Sequence, residues 1–188
     1  KSVRFMTPPT PGFRLLRDAV LSLSLQHAFV RPLYHWRTSR PHEYTGSALN
    51  SPGDDDRLFS AGPVDGAPPQ NVRLGVDDFL LDHLGGGFDL LCFTDGAAIA
   101  APLLTVIETF RERGVPLRVT AITRGGALGP VDGADQVLAD VDGRVHQRYG
   151  VTASGSAYLL RPDQHVCARW LALDATRLRA ALTTALPQ

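Results

Sequence analysis

Between Thr38 and Gly75 the chain carries five prolines and five glycines and has almost no apolar periodicity. Proline removes a backbone donor and fixes φ, so neither a regular helix nor a central strand can run through such a stretch. Structureless segments of this length are rare inside a compact domain. The sequence therefore predicts a helical segment at residues 1–49, an extended connector over a surface at 50–75, and a folded domain at 76–188.

Upstream of the connector, residues 12–36 are helical in composition. Leu15, Leu16, Ala19, Val20, Leu23, Phe29, Val30 and Leu33 are apolar around more than one stripe, and a helix of that kind wants cover on several faces. The first 40 residues hold seven basic side chains against one acid, Asp18. A membrane or nucleic-acid helix would gather its arginines on one face, and Arg14, Arg17, Arg31, Arg37 and Arg40 do not gather. A helix docked on a neighbouring domain is the favoured reading. Over the whole chain 19 basic residues balance 19 acidic ones, which argues against a protein that neutralises many phosphates. The uncharged stretch from Ala19 to Val30 is too short to span a bilayer. The chain opens on Lys1 without a signal-peptide layout, which reads as a piece of a longer polypeptide.

Downstream the pattern is more regular. Residues 87–93 form a short apolar run, as in a buried strand. Thr94-Asp95-Gly96 offers capping chemistry for a helix from about Ala97 to Arg113, with Ile99, Leu103, Val106, Ile107 and Phe110 inward and Gly114 at its end. Residues 115–122 read as a second strand. Strand, helix, strand in that space is a right-handed parallel unit. Residues 137–150 read as irregular, with a turn just before them at Asp132-Gly133, another at Asp142-Gly143 and a short helical stretch ending at Tyr149-Gly150. Residues 157–161 and 165–171 form an antiparallel hairpin, and Asp174 caps a closing helix with Leu178, Ala181, Leu182 and Ala185 on one face. The order β-α-β…β-β-α predicts an α/β, thioredoxin-like mixed sheet of four core strands.

That fold makes a sharp test possible. Reactive thiols of such folds sit where the first core strand meets its helix, eight and five residues before a kinking proline. With Pro102 as that proline, the positions are Thr94 and Ala97, and neither is a thiol. The proline that usually precedes the third strand is replaced by Gly155-Ser156-Ala157. Dithiol chemistry at the usual place is excluded. Cys92, inside a strand, reads as a small hydrophobe. The fold puts one strand between it and Cys167, roughly 10 Å at ~4.8 Å per strand, too far for a disulfide. Two free thiols fit a reducing, cytoplasmic compartment.

Other candidates are weak. Asp54-Asp55-Asp56 reads as a solvated acidic turn rather than a cation site. Asp140-Val141-Asp142-Gly143 lacks the third acid and the closing glutamate of a calcium loop. Residues 125–129 (Gly-Gly-Ala-Leu-Gly) follow a strand, but Pro130 breaks the helix a phosphate would need. His27, His35, His42, His83, His146 and His165 form no metal or catalytic spacing, and no Gly-x-Ser-x-Gly is present. These residues call for no catalytic group, no cofactor and no metal in the chain itself.

One segment is distinctive: residues 157–170, Ala-Tyr-Leu-Leu-Arg-Pro-Asp-Gln-His-Val-Cys-Ala-Arg-Trp. With Tyr44 to Leu49, Gly62 to Leu74 and Gly85 to Leu91 in the same order, it resembles the carboxy-terminal region of the FAD-dependent aromatic-ring hydroxylases, flavoprotein monooxygenases of the phenol and hydroxyphenylpropionate hydroxylase type. The resemblance runs from about Gly12 onward. It implies a parent that hydroxylates an aromatic ring with FAD, NAD(P)H and oxygen, all held by an upstream flavin and substrate domain, since no Gly-x-Gly-x-x-Gly occurs here. It implies a redox-silent thioredoxin-like tail that supplies packing or subunit contacts, with that upstream domain and a homodimer mate as partners, and no nucleic acid or membrane. Read from the residues themselves, Pro162 and Asp163 shape the hairpin turn, Asp163 accepting backbone N–H bonds. Arg161 and Arg169, with His165 between them, can hold a carboxylate or a domain partner. A stand-alone binding module without thiol chemistry is the alternative, and a small enzyme using the 125–129 loop is a third reading.

Overall fold

The structure, a computed structural model, describes residues 5–30, 33, 41–125 and 129–186. The chain divides into two compact units, Lys1–Pro41 and His42–Gln188. In the first, helix α1 spans Pro11–Gln26. Thr10 accepts the Phe13 N–H through its hydroxyl at 3.4 Å and Pro11 stands at the first helical position, both good starting chemistry. The helix stops well before Trp36. A 3₁₀ turn, Ala28–Val30, follows, and residues 34–36 lie outside the described residues. Leu15, Leu16, Leu21, Leu23 and Leu25 are exposed on α1, as is Phe29 in the turn. No helix among the described residues is long and apolar enough to cross a membrane.

The second unit opens with the Pro/Gly-rich stretch, which makes a small antiparallel ribbon of β1 (Arg73–Gly75) and β2 (Asp78–Phe79). Then come β3 (Phe88–Thr94), α2 (Ala101–Glu112), β4 (Leu117–Arg124), β5 (Gln136–Asp140), α3 (Arg144–Arg148), β6 (Ala157–Leu160), β7 (Val166–Trp170) and α4 (Ala175–Ala185). The main sheet runs β5-β4-β3-β6-β7. β3, β4 and β5 are parallel, while β6 and β7 are antiparallel. The fold is α/β with a mixed sheet, consistent with the thioredoxin-like order, and it has five strands where the sequence suggested four. The fifth, β5, is a five-residue edge strand between two turns, too short for its alternation to register.

Two apolar layers sandwich the sheet. On one side Phe88, Leu90 and Cys92 of β3 meet Leu103, Val106, Ile107 and Phe110 of α2 and Leu178, Ala181 and Leu182 of α4. On the other, Leu91 and Phe93 meet Leu80, Val145, Tyr149, Tyr158 and Leu160. Asp174 caps α4 as expected, accepting the Arg177 N–H at 2.9 Å, and Gly114 closes α2 at φ 83°.

The connector is not a loose crossing. β7 is an edge strand, and an open edge is a template for unwanted pairing. Here Ser51 donates its N–H to Cys167 O, Gly66 donates to Val166 O, and Val166 donates to Ala67 O, at 2.8, 2.8 and 2.9 Å. Residues 51–67 are a strap that covers the edge.

Candidate functional site

The signature hairpin turns at residues 161–164, where Gln164 donates its N–H to Arg161 O at 2.9 Å and adopts φ 57°. Pro162 occupies the second turn position, for which its fixed φ is suited. Asp163 accepts the His165 N–H at 3.3 Å, the backbone bond expected of it, and receives Arg161 Nε and Nη2 at 3.1 and 2.9 Å. Partial burial works against its ionised form, yet those bonds and charges outweigh it and hold the carboxyl below its ordinary value. The buried Arg161 spends its remaining arm on Asn50 Oδ1 at 2.8 Å, and Asn50 in turn donates to Tyr44 O. His165 bonds the Asp163 carbonyl and packs edge-on to Tyr44.

Arg169 is also buried, and its donors reach into the strap. Nε meets Asp56 Oδ1; Nη1 lies 3.3 Å from each of the Ala61, Gly62 and Pro63 carbonyls; Nη2 reaches Asp56 O. The plane rests 4.6 Å from the Phe59 ring centroid. A planar fork with five donors suits this task and an ammonium does not. Asp55 accepts the Leu171 N–H at 3.0 Å and takes Arg177 Nη1 at 2.9 Å on each oxygen. The acidic run 54–56 is therefore no solvated turn. Asp55 is buried, and its partners lie more than a hundred residues away, beyond what local composition can signal. The two signature arginines bind carboxylates of this chain; Arg169 fastens its strap, and Arg161 holds Asn50 at the strap's start.

At the vacated thiol position, Thr94 closes β3 and Ala97 sits in a loop. Thr94 Oγ1 donates to Ala97 O and accepts the Gly96 N–H, at 3.1 and 3.2 Å. The helix starts only at Ala101, capped by no side chain, with Pro102 in its first turn. Thr94-Asp95-Gly96 is thus no cap, and Pro102 starts α2 rather than kinking it. The intervening loop separates both positions from the helix dipole that would stabilise a thiolate there. A pocket of about 220 Å³ opens at this place, lined by Cys92, Thr94, Ala97, Ile99, Leu103 and Ser156 among others. Burial pushes the Cys92 thiol up to about 12. Burial, helped by Asp65 and Asp163 against Arg161, does the same to Cys167. Both cysteines are free, and β6 lies between their strands. This strand-to-helix turn does not fit a dinucleotide pyrophosphate. Asp95 puts an anion in it, and Pro102 removes an N–H from the first turn of the helix.

Sequence spacing missed one polar pair. His146 Nδ1 meets Asp140 Oδ2 at 2.7 Å with both side chains buried. Asp140 also accepts the Val145 and His146 N–H groups at 3.1 and 2.9 Å. Burial alone would raise its carboxyl, but the bonds from His146 and Val145 bring it below the usual value. The imidazole stands edge-on to Phe93. A turn and a five-residue helix bring the two residues together, a spacing with no motif attached. The 125–129 loop falls on residues 126–128, outside the described residues. No group of three or more His, Cys, Asp or Glu able to hold a metal occurs among the described residues.

The class these observations define is an α/β domain whose mixed sheet is capped by a strap and whose usual thiol position holds a threonine and an alanine. Among solved structures the chain is similar to the flavin-dependent monooxygenase PieE in complex with FAD and substrate, at a TM-score of 0.56 and 22% identity over 97% of this chain and 31% of that one. It is similar to the rebeccamycin biosynthetic enzyme REBC in its substrate-free form, at 0.55 and 21% over 96% and 29%. It is also similar to RebC with bound 7-carboxy-K252c, at 0.54 and 20% over 94% and 29%. Nearly all of this chain thus shares the fold of a part of these enzymes, and it spans less than a third of their length. No family model matches the sequence, and no curated protein matches it.

Proposed function

We propose that the chain is the carboxy-terminal portion of an FAD-dependent aromatic-ring hydroxylase, with a sheet unit that does no redox chemistry and serves packing and subunit contact. FAD, NAD(P)H and the aromatic substrate belong to an upstream domain of the same polypeptide, the cytoplasm is the compartment, and a second copy is the other partner. The observation that carries the reading is the fold shared with PieE and RebC across almost the whole chain. The thiol-free junction at Thr94 and Ala97 and the two buried cysteines support the redox-silent role.

Expression of the native gene in full tests it. The expected product is roughly three times this length, as the matched shares imply, is yellow with bound FAD, and consumes NAD(P)H when given its aromatic substrate. Serine at both Cys92 and Cys167 leaves turnover per flavin unchanged. Substituting Arg161 or Arg169 weakens stability or association and also leaves turnover per flavin unchanged. Flavin binding or disulfide reduction by the 188-residue chain alone would overturn the reading. A second reading, a stand-alone binding module, is favoured by the 220 Å³ pocket at the vacated thiol position; a native product that starts close to Lys1 would select it.

A further inference from the structure

Asp65 lies in the strap with both carboxyl oxygens closed off from solvent and without a hydrogen-bond partner among the described residues. The residue is 6% exposed. Buried carboxyls without partners are rare because the charged form loses its water and gains nothing in return. The cations that could serve Asp65 are committed elsewhere. Arg169 gives its donors to Asp56 and to the carbonyls of residues 61–63, and Arg161 gives its own to Asn50 and Asp163. On β6, Tyr158 donates its hydroxyl to Tyr149 O.

The charges acting on Asp65 come from two elements. Asp56, in the strap itself, opposes ionisation, and Arg169, on β7, favours it. Tyr158 on β6 and Cys167 on β7 both feel the Asp65 charge and are pushed up by it. Burial is the largest influence, and with Asp56 it outweighs Arg169, raising the carboxyl to about 7. The next residues along, Gly66 and Ala67, are the ones that pair with Val166 on the sheet edge.

We propose that Asp65 is a proton-operated latch: neutral, it stays buried with Gly66 and Ala67 paired to Val166; ionised, it moves toward water and draws that part of the strap off the edge of β7. The direction follows from linkage. Below pH 4 both the closed and the opened strap hold the proton, and the closed form is at its most stable. Between about 4 and 7 only the closed form holds it, so closure weakens as pH rises. Above about 7 the closed form has lost the proton too, and the effect levels off.

Amide hydrogen exchange on the 188-residue chain at a series of pH values tests this, after correction for the intrinsic pH dependence of exchange. The opening constants of the Gly66 and Val166 amides are expected to rise up to about tenfold per pH unit between pH 5 and 7, then level off. In Asp65→Asn the rise is expected to vanish. Opening constants independent of pH in the wild type, or the same rise in the variant, would overturn the proposal. Should the variant fail to fold, a carbon-13 titration of the Asp65 carboxyl in the wild-type chain decides alone: a midpoint near 7 supports the latch and one near 4 overturns it.

Discussion

Arg169 on β7 closes on the carboxylate of Asp56, 113 positions earlier in the chain, and the contact fastens the strap to the sheet. The same guanidinium reaches three successive backbone carbonyls. The interaction is therefore a multipoint anchor and not a surface ion pair, for which little stabilisation would be expected.

Removing one partner of this contact strands the other. Arg169→Met leaves Asp56 and the three carbonyls unpaired, and a cost of about 3 kcal/mol is expected in urea unfolding, the range found when one half of a buried pair is deleted. Asp56 is partly solvated, so Asp56→Asn should cost less. The double substitution should be less damaging than the sum of the two. Additive losses would mean that the residues do not act on each other.

The two cysteines give a chemical check on the sheet order. Burial raises both thiols to about 12, so neither supplies thiolate near neutral pH. At pH 8 the folded chain is expected to react with less than one equivalent of a thiol reagent within the time the denatured chain takes to react with two. Fewer than two equivalents in denaturant without reductant would mean a disulfide, which the intervening β6 forbids.

The parts of this fold that could be read in advance were those whose reasons are local. The apolar run of β3, the inward face of α2, Gly114 as a stop and Asp174 as a cap each depend on neighbours a few positions away, and the structure places them as expected. The hairpin turn is likewise local, and Asp163 accepts the His165 N–H as its position requires. What could not be read depends on distant partners. Asp55 and Asp56 look like a hydrated acidic turn until Arg177, Leu171 and Arg169 come round the sheet to meet them. Asp140 and His146 have no spacing that marks a pair. Pro102 fitted the kink position by count, but the chain delays its helix until Ala101, so the same residue serves as a start.

One close backbone approach, at Gly62, makes a steric prediction. Gly62 has φ 97°, and a methyl group there would meet the Tyr149 carbonyl and the Tyr158 hydroxyl, which are bonded to each other. Gly62→Ala is expected to cost more than the ~1 kcal/mol of a left-handed residue alone, because backbone must also move. Gly143 has φ 68° but open space around it, so Gly143→Ala should show only the conformational part. Equal losses in thermal unfolding would refute the crowding at Gly62.

The Asp140–His146 pair is expected to set the acid limit of the sheet unit. Burial opposes the Asp140 charge, but the bonds from the His146 ring and from the His146 and Val145 N–H groups prevail, so the folded carboxyl titrates below its ordinary value of 3.8. A carboxyl lowered on folding contributes stability that is fully present above the unfolded value and is lost as pH falls through the folded one. Unfolding midpoints in urea should therefore hold steady from pH 6 to about 4.5 on this account and drop below about 4. Asp140→Asn keeps an oxygen for the backbone N–H groups but not the charge. It should lower the midpoint near neutral pH and flatten the drop in acid, because the variant has no proton left to take up at that position. An acid limb as steep in the variant as in the wild-type chain would place the acid sensitivity at another carboxyl held below its ordinary value, the buried Asp55 or the exposed Asp163.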